Sequence, residues 1–360
     1  MSEFYIGVMS GTSMDGIDLV LCEIDAYSCK LLHSHEYPFP KELKDEILTA
    51  IAGVVTLQKV GTLDTKLGHL FARAINRFIL EKRINAEKIT AIGLHGQTLW
   101  HEPNAMFPFS MQLGCPNVVY SKTNMSVVAD FRSMDIANGG QGAPFAPAFH
   151  AFAFGSLSKN TAVLNIGGMA NITLLGDTLK GWDTGPGNVL MDMWIRKCKD
   201  ENYDKDGSFA KSGRANEELL EKLLADNYFK KIPPKSTGRE YFNESWLGLH
   251  LPIFHTIKEE DMQATLLELT ARTIAHDALS AKSELLIVCG GGAKNGFLMQ
   301  RLYELCGINV VSSDTYGINA DALEAMAFAW LAYKRIHREK VNLQSVTGSH
   351  KNSLLGGIYG

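Results

Sequence analysis

Tyr5-Ile6-Gly7-Val8-Met9-Ser10-Gly11-Thr12-Ser13-Met14-Asp15-Gly16-Ile17-Asp18-Leu19-Val20-Leu21 reads as an apolar run, a turn of small and hydroxyl residues, and a second apolar run. Half a chain later, Thr161-Ala162-Val163-Leu164-Asn165-Ile166-Gly167-Gly168-Met169-Ala170-Asn171-Ile172-Thr173-Leu174-Leu175 repeats that order. Each predicts a strand–turn–strand hairpin with glycines at the bend. Together they suggest a duplicated architecture in which two backbone loops face one ligand. Glycine lets backbone N–H groups approach an anion closely, as a phosphate cradle requires. Asp15-Gly16 and Gly167-Gly168 are also favoured in ordinary hairpin turns, so either hairpin alone is open to a purely structural reading.

The chain has 360 residues, more than one typical core, and suits two domains. Its composition, 46% apolar and 21% charged, supplies a large core. A formal net charge of −4 gives no electrostatic footprint for nucleic acid or an anionic membrane. No apolar stretch approaches the roughly 18–20 residues of a membrane span. The start of the chain lacks a basic segment followed by an apolar one, so no signal peptide is read. Cys22, Cys29, Cys115, Cys198, Cys289 and Cys306 are scattered without C-x-x-C pairs, several of them inside apolar runs. That pattern fits reduced thiols in a cytoplasmic protein and suggests neither zinc nor a disulfide framework.

After the first hairpin, Glu23 to Leu32 predicts a third antiparallel strand. Lys41 to Ala52 and Leu63 to Ile84 have helical spacing, with Leu67, Leu70, Phe71, Ile75, Phe78 and Ile79 on one stripe. Short strands are expected at Ile89 to Leu94, ending in His95-Gly96-Gln97-Thr98, and at Met125 to Ala129, ending in Asp130-Phe131-Arg132. Antiparallel strands followed by strands alternating with helices describe a mixed α/β domain. The second half repeats the order. A hairpin leads to a polar turn at Trp182-Asp183-Thr184-Gly185-Pro186-Gly187-Asn188, then to helices at Val189 to Cys198, Glu217 to Ala225 and Met262 to Lys282. The strand Glu284 to Cys289 runs into Gly290-Gly291-Gly292-Ala293-Lys294-Asn295 and a helix from Gly296 to Leu305. A last strand at Val310 to Ser312 and a last helix at Asp321 to His337 follow. Asn227 to Leu251, with Pro233-Pro234, reads as irregular. Ala137-Asn138-Gly139-Gly140-Gln141-Gly142-Ala143-Pro144 is the clearest break and the expected interdomain crossing. The expected division is therefore 1–136, 137–340 and a tail at 341–360 that packs back on the first domain.

Two familiar nucleotide signatures are missing. No G-x-x-x-x-G-K-[ST] occurs, and Gly296 comes one residue too late to complete G-x-G-x-x-G from Gly290 and Gly292. The two hairpins, the Gly290–Asn295 turn and the two-domain order resemble the actin- and hexokinase-like ATPase superfamily. That resemblance implies two duplicated ribonuclease H-like domains with mixed sheets flanking an ATP cleft. Within it the chain is similar to the anhydro-N-acetylmuramic acid kinase family. The segments that carry the similarity are Gly7 through Asp18, His95-Gly96-Gln97-Thr98, Asp130-Phe131-Arg132, Gly139-Gly140-Gln141-Gly142-Ala143-Pro144, Asn165-Ile166-Gly167-Gly168-Met169-Ala170-Asn171, Asp183-Thr184-Gly185-Pro186-Gly187-Asn188 and Asp321-Ala322-Leu323-Glu324-Ala325. They occur in the family's order from Phe4 to Arg335.

The resemblance implies an enzyme that hydrolyses the 1,6-anhydro bond of a cell-wall sugar and phosphorylates the freed O6 with ATP, in peptidoglycan recycling. An ordinary sugar kinase needs a base to take a hydroxyl proton. In the anhydro sugar O6 carries no proton, so a carboxylate there would activate water for attack on C1, and the departing O6 would accept the phosphate. Asp183 is the expected base; an N-cap or Asx-turn aspartate is the alternative. By resemblance Gly11, Thr12, Ser13, Met14, Asp15, Gly16, Ile17 and Asp18 form one ATP-binding segment. Gly167, Gly168, Gly185, Gly187 and Asn188 form another, and Gly290, Gly291, Gly292 and Asn295 support adenosine. Asp15 and Asp18 would repel phosphate directly and read as turn residues or as outer partners of hydrated Mg²⁺. Sugar contacts are expected from His95, Gln97, Asp130, Arg132 and Glu324. Arg132 suits the lactyl carboxylate, and Glu324 shares a helical stripe with Phe328 and Leu331, an apolar setting. A conventional hydroxyl kinase and an ATP-gated binding module are the rival readings, although little chain follows the last helix to form a peptide-binding domain. Apolar helix faces allow a homodimer.

Overall fold

The structure, a computed structural model, describes residues 2–11, 14, 16–157, 160–233, 235–250 and 256–360. The chain divides into two compact units, Met1–Ala153 with Ala322–Gly360, and Phe154–Asp321.

In the first unit, β1 (Glu3–Met9), β2 (Gly16–Ile24) and β3 (Cys29–Pro38) form an antiparallel meander. β4 (Ile89–Leu94) lies parallel to β1 on its other side, with β7 (Val127–Ala129) parallel to β4 beyond it. A small hairpin, β5 (Gln97–Glu102) with β6 (Phe109–Leu113), stands apart from this sheet. In the second unit, β8 (Thr161–Ile166), β9 (Met169–Leu175) and β10 (Leu179–Pro186) repeat the meander. β11 (Leu285–Cys289) is parallel to β8, and β12 (Asn309–Ser312) is parallel to β11. The orders β3-β2-β1-β4-β7 and β10-β9-β8-β11-β12 are therefore the same, strand for strand and sense for sense. β13 (Gly357–Tyr359) adds one antiparallel strand to the edge at β7. This is the ribonuclease H-like unit present twice, the architecture of actin-like ATPases.

Each half follows from its pattern. Parallel neighbours need long crossovers, and helices supply them. The helix Leu57–Lys82 buries Phe71, Ile75 and Phe78 against Ile6, Val8, Leu19 and Leu21 of the first meander. In the second unit Leu266, Leu269 and Ile274 of the helix Glu259–Ser280 pack with Leu164, Ile172 and Leu286. Among the described residues no helix is long and apolar enough to cross a membrane, and all six cysteines are free.

Four expectations are corrected here. The third strand begins at Cys29 and not Glu23, because Asp25 Oδ1 accepts from the N–H groups of Tyr27 and Ser28, at 2.8 Å each, and turns the chain. Trp182–Pro186 is no free turn but the end of edge strand β10, where polar side chains are tolerated. Ala137–Pro144 does not cross between units. Buried Asp135 ties it into the first unit by accepting from Gly142 N–H (2.7 Å) and Thr347 Oγ1 (2.9 Å), and Gln141 N–H donates to Thr347 O (3.0 Å). The chain passes between units at Ala153/Phe154 and again at Asp321/Ala322, so the helix Leu323–Ile336 belongs to the first unit.

That helix rests on two glycines. Gly7 and Gly93 are register partners on β1 and β4. A Cβ on Gly7 would overlap Ala325 O, and one on Gly93 would overlap Phe328 O. Ala329 and Ala332 continue the small face of the helix at the same contact. Overpacking of this kind costs about 1–3 kcal/mol. Gly93→Ala is therefore expected to lower the thermal midpoint by several degrees, and Gly7→Ala to do the same; a midpoint equal to the parent's would show that the helix has room to shift.

Candidate active site

The second unit assembles a site around the tip of the β8–β9 hairpin. Gly167 N–H donates to Met169 O (3.0 Å), closing the tip. The end of β10 then folds onto it. Gly187 N–H and Val189 N–H both donate to Gly168 O (2.9 and 3.1 Å), and Asn188 N–H donates to Gly167 O (2.8 Å). Gly187 has to be glycine, since a Cβ there would collide with Gly167 O. Gly185, buried against the ring of Phe229, continues the same packed turn. The Gly187 and Asn188 amides are thus both spent on the hairpin. Gly167 differs. Its φ lies outside the left-handed region and a Cβ would meet only Met169 O, at 3.8 Å, so packing does not require glycine there.

Asp183 sits on β10 beside a bulge at Thr184, where the pairing with β9 slips. Bulges re-aim side chains, and this one lies between Asp183 and Gly185. The Asp183 backbone is held on both sides, its N–H donating to Lys235 O (3.0 Å) and its carbonyl accepting from Tyr228 Oη (2.8 Å). Its Oδ2 accepts from Ser236 Oγ and Thr237 N–H, both at 3.0 Å, while Oδ1 has no donor among the described residues. Burial raises the carboxyl above the usual aspartate range; the bonds from Thr237 and Ser236 oppose that, and Glu240 adds to it. A half-buried carboxylate with one oxygen anchored and the other available is equipped to take a proton.

Beyond Asn188 the helix Val189–Lys199 begins, and a cavity of about 300 Å³ opens between it and the turn after β11. Asn188, Asp192, Tyr203, Asp206, Gly291 and Asn295 are among its lining residues. Gly290 leaves β11 with φ 78°, and a Cβ would strike Asn165 Oδ1. Gly292 packs on Ile166, Gly291 is exposed to the cavity, and Asn295 caps the helix Gly296–Cys306 through Leu298 N–H (3.0 Å). Asp192 is raised to about 6, by burial above all and by Asp204, against the pull of Arg196 and Arg239.

The first unit holds the other expected residues. Gly11 O accepts from Met14 N–H (3.1 Å), and the Met14 side chain is buried. Thr12, Ser13 and Asp15 lie outside the described residues. Gly16, Ile17 and Asp18 belong to β2 and not to a loop; Ile17 is fully buried in the core and Asp18 stands opposite Met9 and Glu36. Gln97, buried, accepts from Ser10 Oγ (2.7 Å) and donates to Gly11 O (3.3 Å), so it braces the first hairpin. His95 and Arg132 come together, Arg132 Nη2 donating to His95 Nε2 (2.9 Å) and Nη1 to Gly142 O (3.1 Å). Burial, with Arg132 beside it, lowers His95 to about 3, so the imidazole is neutral. Burial also lowers Arg132 to about 10, partly offset by Glu324, and its Nε–H is enclosed with no acceptor among the described residues. Asp130, exposed at φ 58°, accepts from Ser133 Oγ (2.6 Å). Glu324 is corrected: it is exposed in the first turn of its helix and not set among apolar side chains, because Phe328 turns inward onto His95 and Phe131.

Sequence reasoning missed Tyr228, Ser236, Thr237 and Arg239, which come from the segment read as irregular. The signal available was Ser236-Thr237-Gly238-Arg239 itself, two hydroxyls, a glycine and a cation after a proline pair.

Comparison with known proteins adds three findings. The family model described as Anhydro-N-acetylmuramic acid kinase matches residues 3–360. Proteins named anhydro-N-acetylmuramic acid kinase from Sulfurovum sp. (strain NBC37-1) and Vibrio vulnificus (strain YJ016) are similar to the chain. The first is 56% identical over 99% of both chains, and the second is 48% identical over 99% of this chain and 98% of its own. Among solved structures, the activator of the 2-hydroxyisocaproyl-CoA dehydratase from Clostridium difficile with bound ADPNP is 11% identical, with a TM-score of 0.48 over 93% of this chain and 96% of that one.

The raised Asp183 carboxyl has a thermodynamic consequence. A group that binds its proton more tightly when folded contributes stability below its unfolded pKa and loses that contribution as pH rises through the folded one. At pH 7 the wild-type carboxylate therefore carries a burial cost that an amide avoids. Asp183→Asn is expected to melt no lower than wild type at pH 7, with its relative advantage shrinking as pH falls toward the ordinary aspartate value of about 4. A midpoint clearly below wild type at pH 7 would mean that Ser236 and Thr237 outweigh burial.

Proposed function

The chain belongs to the anhydro-N-acetylmuramic acid kinase family, and from that premise we propose that it opens the 1,6-anhydro ring of 1,6-anhydro-N-acetylmuramic acid by hydrolysis and phosphorylates O6 with ATP. The products are N-acetylmuramic acid 6-phosphate and ADP, and the setting is peptidoglycan recycling in the cytoplasm. The observation that carries this reading is Asp183, a half-buried carboxylate with a raised pKa, one anchored oxygen and one available oxygen, beside a glycine hairpin.

Asp183 takes a proton from water as its oxygen bonds to C1. The C1–O6 bond breaks, its electron pair stays on O6, and O6 bonds to the γ-phosphorus as the bond to the β-bridging oxygen breaks. One base serves both halves because the first supplies the nucleophile of the second. The nucleotide is assigned to the cavity lined by Asn188, Gly291 and Asn295, with its phosphates toward Gly167 and Gly168. The nearby start of the helix Val189–Lys199 favours anions electrostatically. When bound with ATP, Mg²⁺ would draw charge from the phosphates. For the sugar, the Arg132 guanidinium is the reading's partner for the lactyl carboxylate: it is charged, largely desolvated, and its Nε–H is unsatisfied. His95 is neutral and holds that guanidinium in place.

A screen of ADP release over sugars tests the substrate, since a conventional hydroxyl kinase would use free N-acetylmuramic acid instead. Asp183→Asn is expected to lower turnover by about 10²–10⁴-fold while both ligands still bind. In H₂¹⁸O the label should enter C1 and not the phosphate, and the α-anomer should form first; label in the phosphate, or an initial β-anomer, contradicts the mechanism.

Gly167→Val tests the phosphate assignment. Surface changes without strain stay within about 0.5 kcal/mol of stability, yet a side chain there would intrude on phosphate. ATP affinity should drop roughly tenfold, the worth of one charge-assisted hydrogen bond. Unchanged ATP affinity would make the hairpin a structural turn.

A further inference from the structure

Residues 235–239 touch two parts of the site at once. At one end Lys235 O accepts the Asp183 N–H, and Ser236 and Thr237 both donate to Asp183 Oδ2. At the other end the Arg239 guanidinium lies over the hairpin, with Nε and Nη2 each 3.3 Å from where a Cβ on Gly168 would be. Arg239 is exposed. Its electrostatic influence reaches Asp192, which lines the nucleotide cavity.

The stretch is anchored on both sides. Upstream, Tyr228 bonds the Asp183 carbonyl (2.8 Å). Downstream, the N–H groups of Tyr241 and Phe242 donate to Gly238 O, both at 3.1 Å, and Phe242 is fully buried. From Ser236 to Arg239 there are three peptide steps, at most about 11 Å of chain. With both flanks pinned, this short stretch links the guanidinium over Gly168 to the hydroxyl that bonds Asp183.

We propose that residues 235–239 form a strap that couples nucleotide occupancy to the base: Arg239 pairs with the terminal phosphate of ATP above Gly168, and that contact sets Ser236 and Thr237 against Asp183. The inference rests on the ATP-dependent reading above and extends it to the question of timing. Arginine suits the role because its planar fork matches phosphate oxygens with two parallel N–H bonds. Arg239 is the residue that touches nucleotide; Ser236 is a positioning residue acting through Asp183. The chemistry gains order from this, because water is activated well only when the acceptor of the departing O6 is in place.

Calorimetry on the full chain, with the imidodiphosphate analogue of ATP and with ADP, tests the nucleotide end. Arg239→Ala should weaken the analogue about 10–100-fold, the range for hydrogen bonds to charged groups. ADP should change less than about threefold, and Arg239→Lys should fall between wild type and Arg239→Ala. Equal losses for the two nucleotides, or none, would overturn the strap. Kinetics with the anhydro sugar test the other end. Ser236→Ala should lower kcat with the KM for ATP unchanged, Ser236→Thr should restore it, and the double variant should lose less than the product of the single losses. Multiplicative losses would also overturn it. A wild-type chain that binds the analogue but turns over no anhydro sugar would sink the proposed reaction instead, and the analogue-versus-ADP comparison would still judge Arg239.

Discussion

The close approach of Gly187 to the β8–β9 hairpin is the contact on which the site depends. Gly168 O accepts two N–H groups from the chain that leaves β10, and Gly167 O accepts a third. Any side chain at Gly187 would push the two backbones apart. Because they touch, the end of β10 that carries Asp183 is joined to the hairpin tip, and the helix that begins at Val189 carries Asp192 to the lining of the cavity. One backbone junction thus orients the Asp183 carboxylate, a glycine tip and a cavity wall. It also consumes the amides of Gly187, Asn188 and Val189, which a looser turn would leave free.

Burial tunes the ionisable groups of both units in different directions. In the second unit it raises Asp183 and Asp192, each against opposing influences: hydrogen bonds from Thr237 and Ser236 for the first, Arg196 and Arg239 for the second. In the first unit it keeps His95 neutral and weakens the hold of Arg132 on its proton. Taking a charged group out of water is costly unless it is paired. Asp183 recovers part of that cost through two donors on one oxygen. Arg132 recovers part through a carbonyl, a neutral imidazole and the more distant Glu324, and an anionic ligand would supply the remainder. Such partial compensation is what a binding or catalytic group needs, since full pairing inside the protein would leave nothing for the substrate.

Much of the fold was legible in the sequence. Hairpins at Tyr5–Leu21 and Thr161–Leu175, the strands near Ile89 and Leu285, and most helices follow from apolar periodicity and turn residues, which are local properties. Glycine placement was also readable, though its meaning was mixed. The sequence alone does not say whether a glycine stands in open space, as at Gly167, or is required by a packed helix, as at Gly7 and Gly93. The difference lies in what stands opposite, and for Gly7 and Gly93 that is a helix more than two hundred residues away.

Periodicity and turn residues by themselves determined a duplicated mixed α/β chain, and the family resemblance carried by its motifs made Asp183 the candidate base, because each is written in neighbouring residues. Tertiary structure alone decided where the units divide, that Glu324 faces outward, that Gln97 braces the first hairpin, and that a motif-free stretch holds Asp183 and sets Arg239 over Gly168. Those facts depend on hydrogen bonds and contacts between residues far apart in the chain: Ser236 lies 53 positions from Asp183 and Thr347 lies 212 from Asp135. Local pattern carries no information about such pairs; only the folded backbone, by bringing them within bonding distance, selects which polar groups are spent on structure and which remain for chemistry.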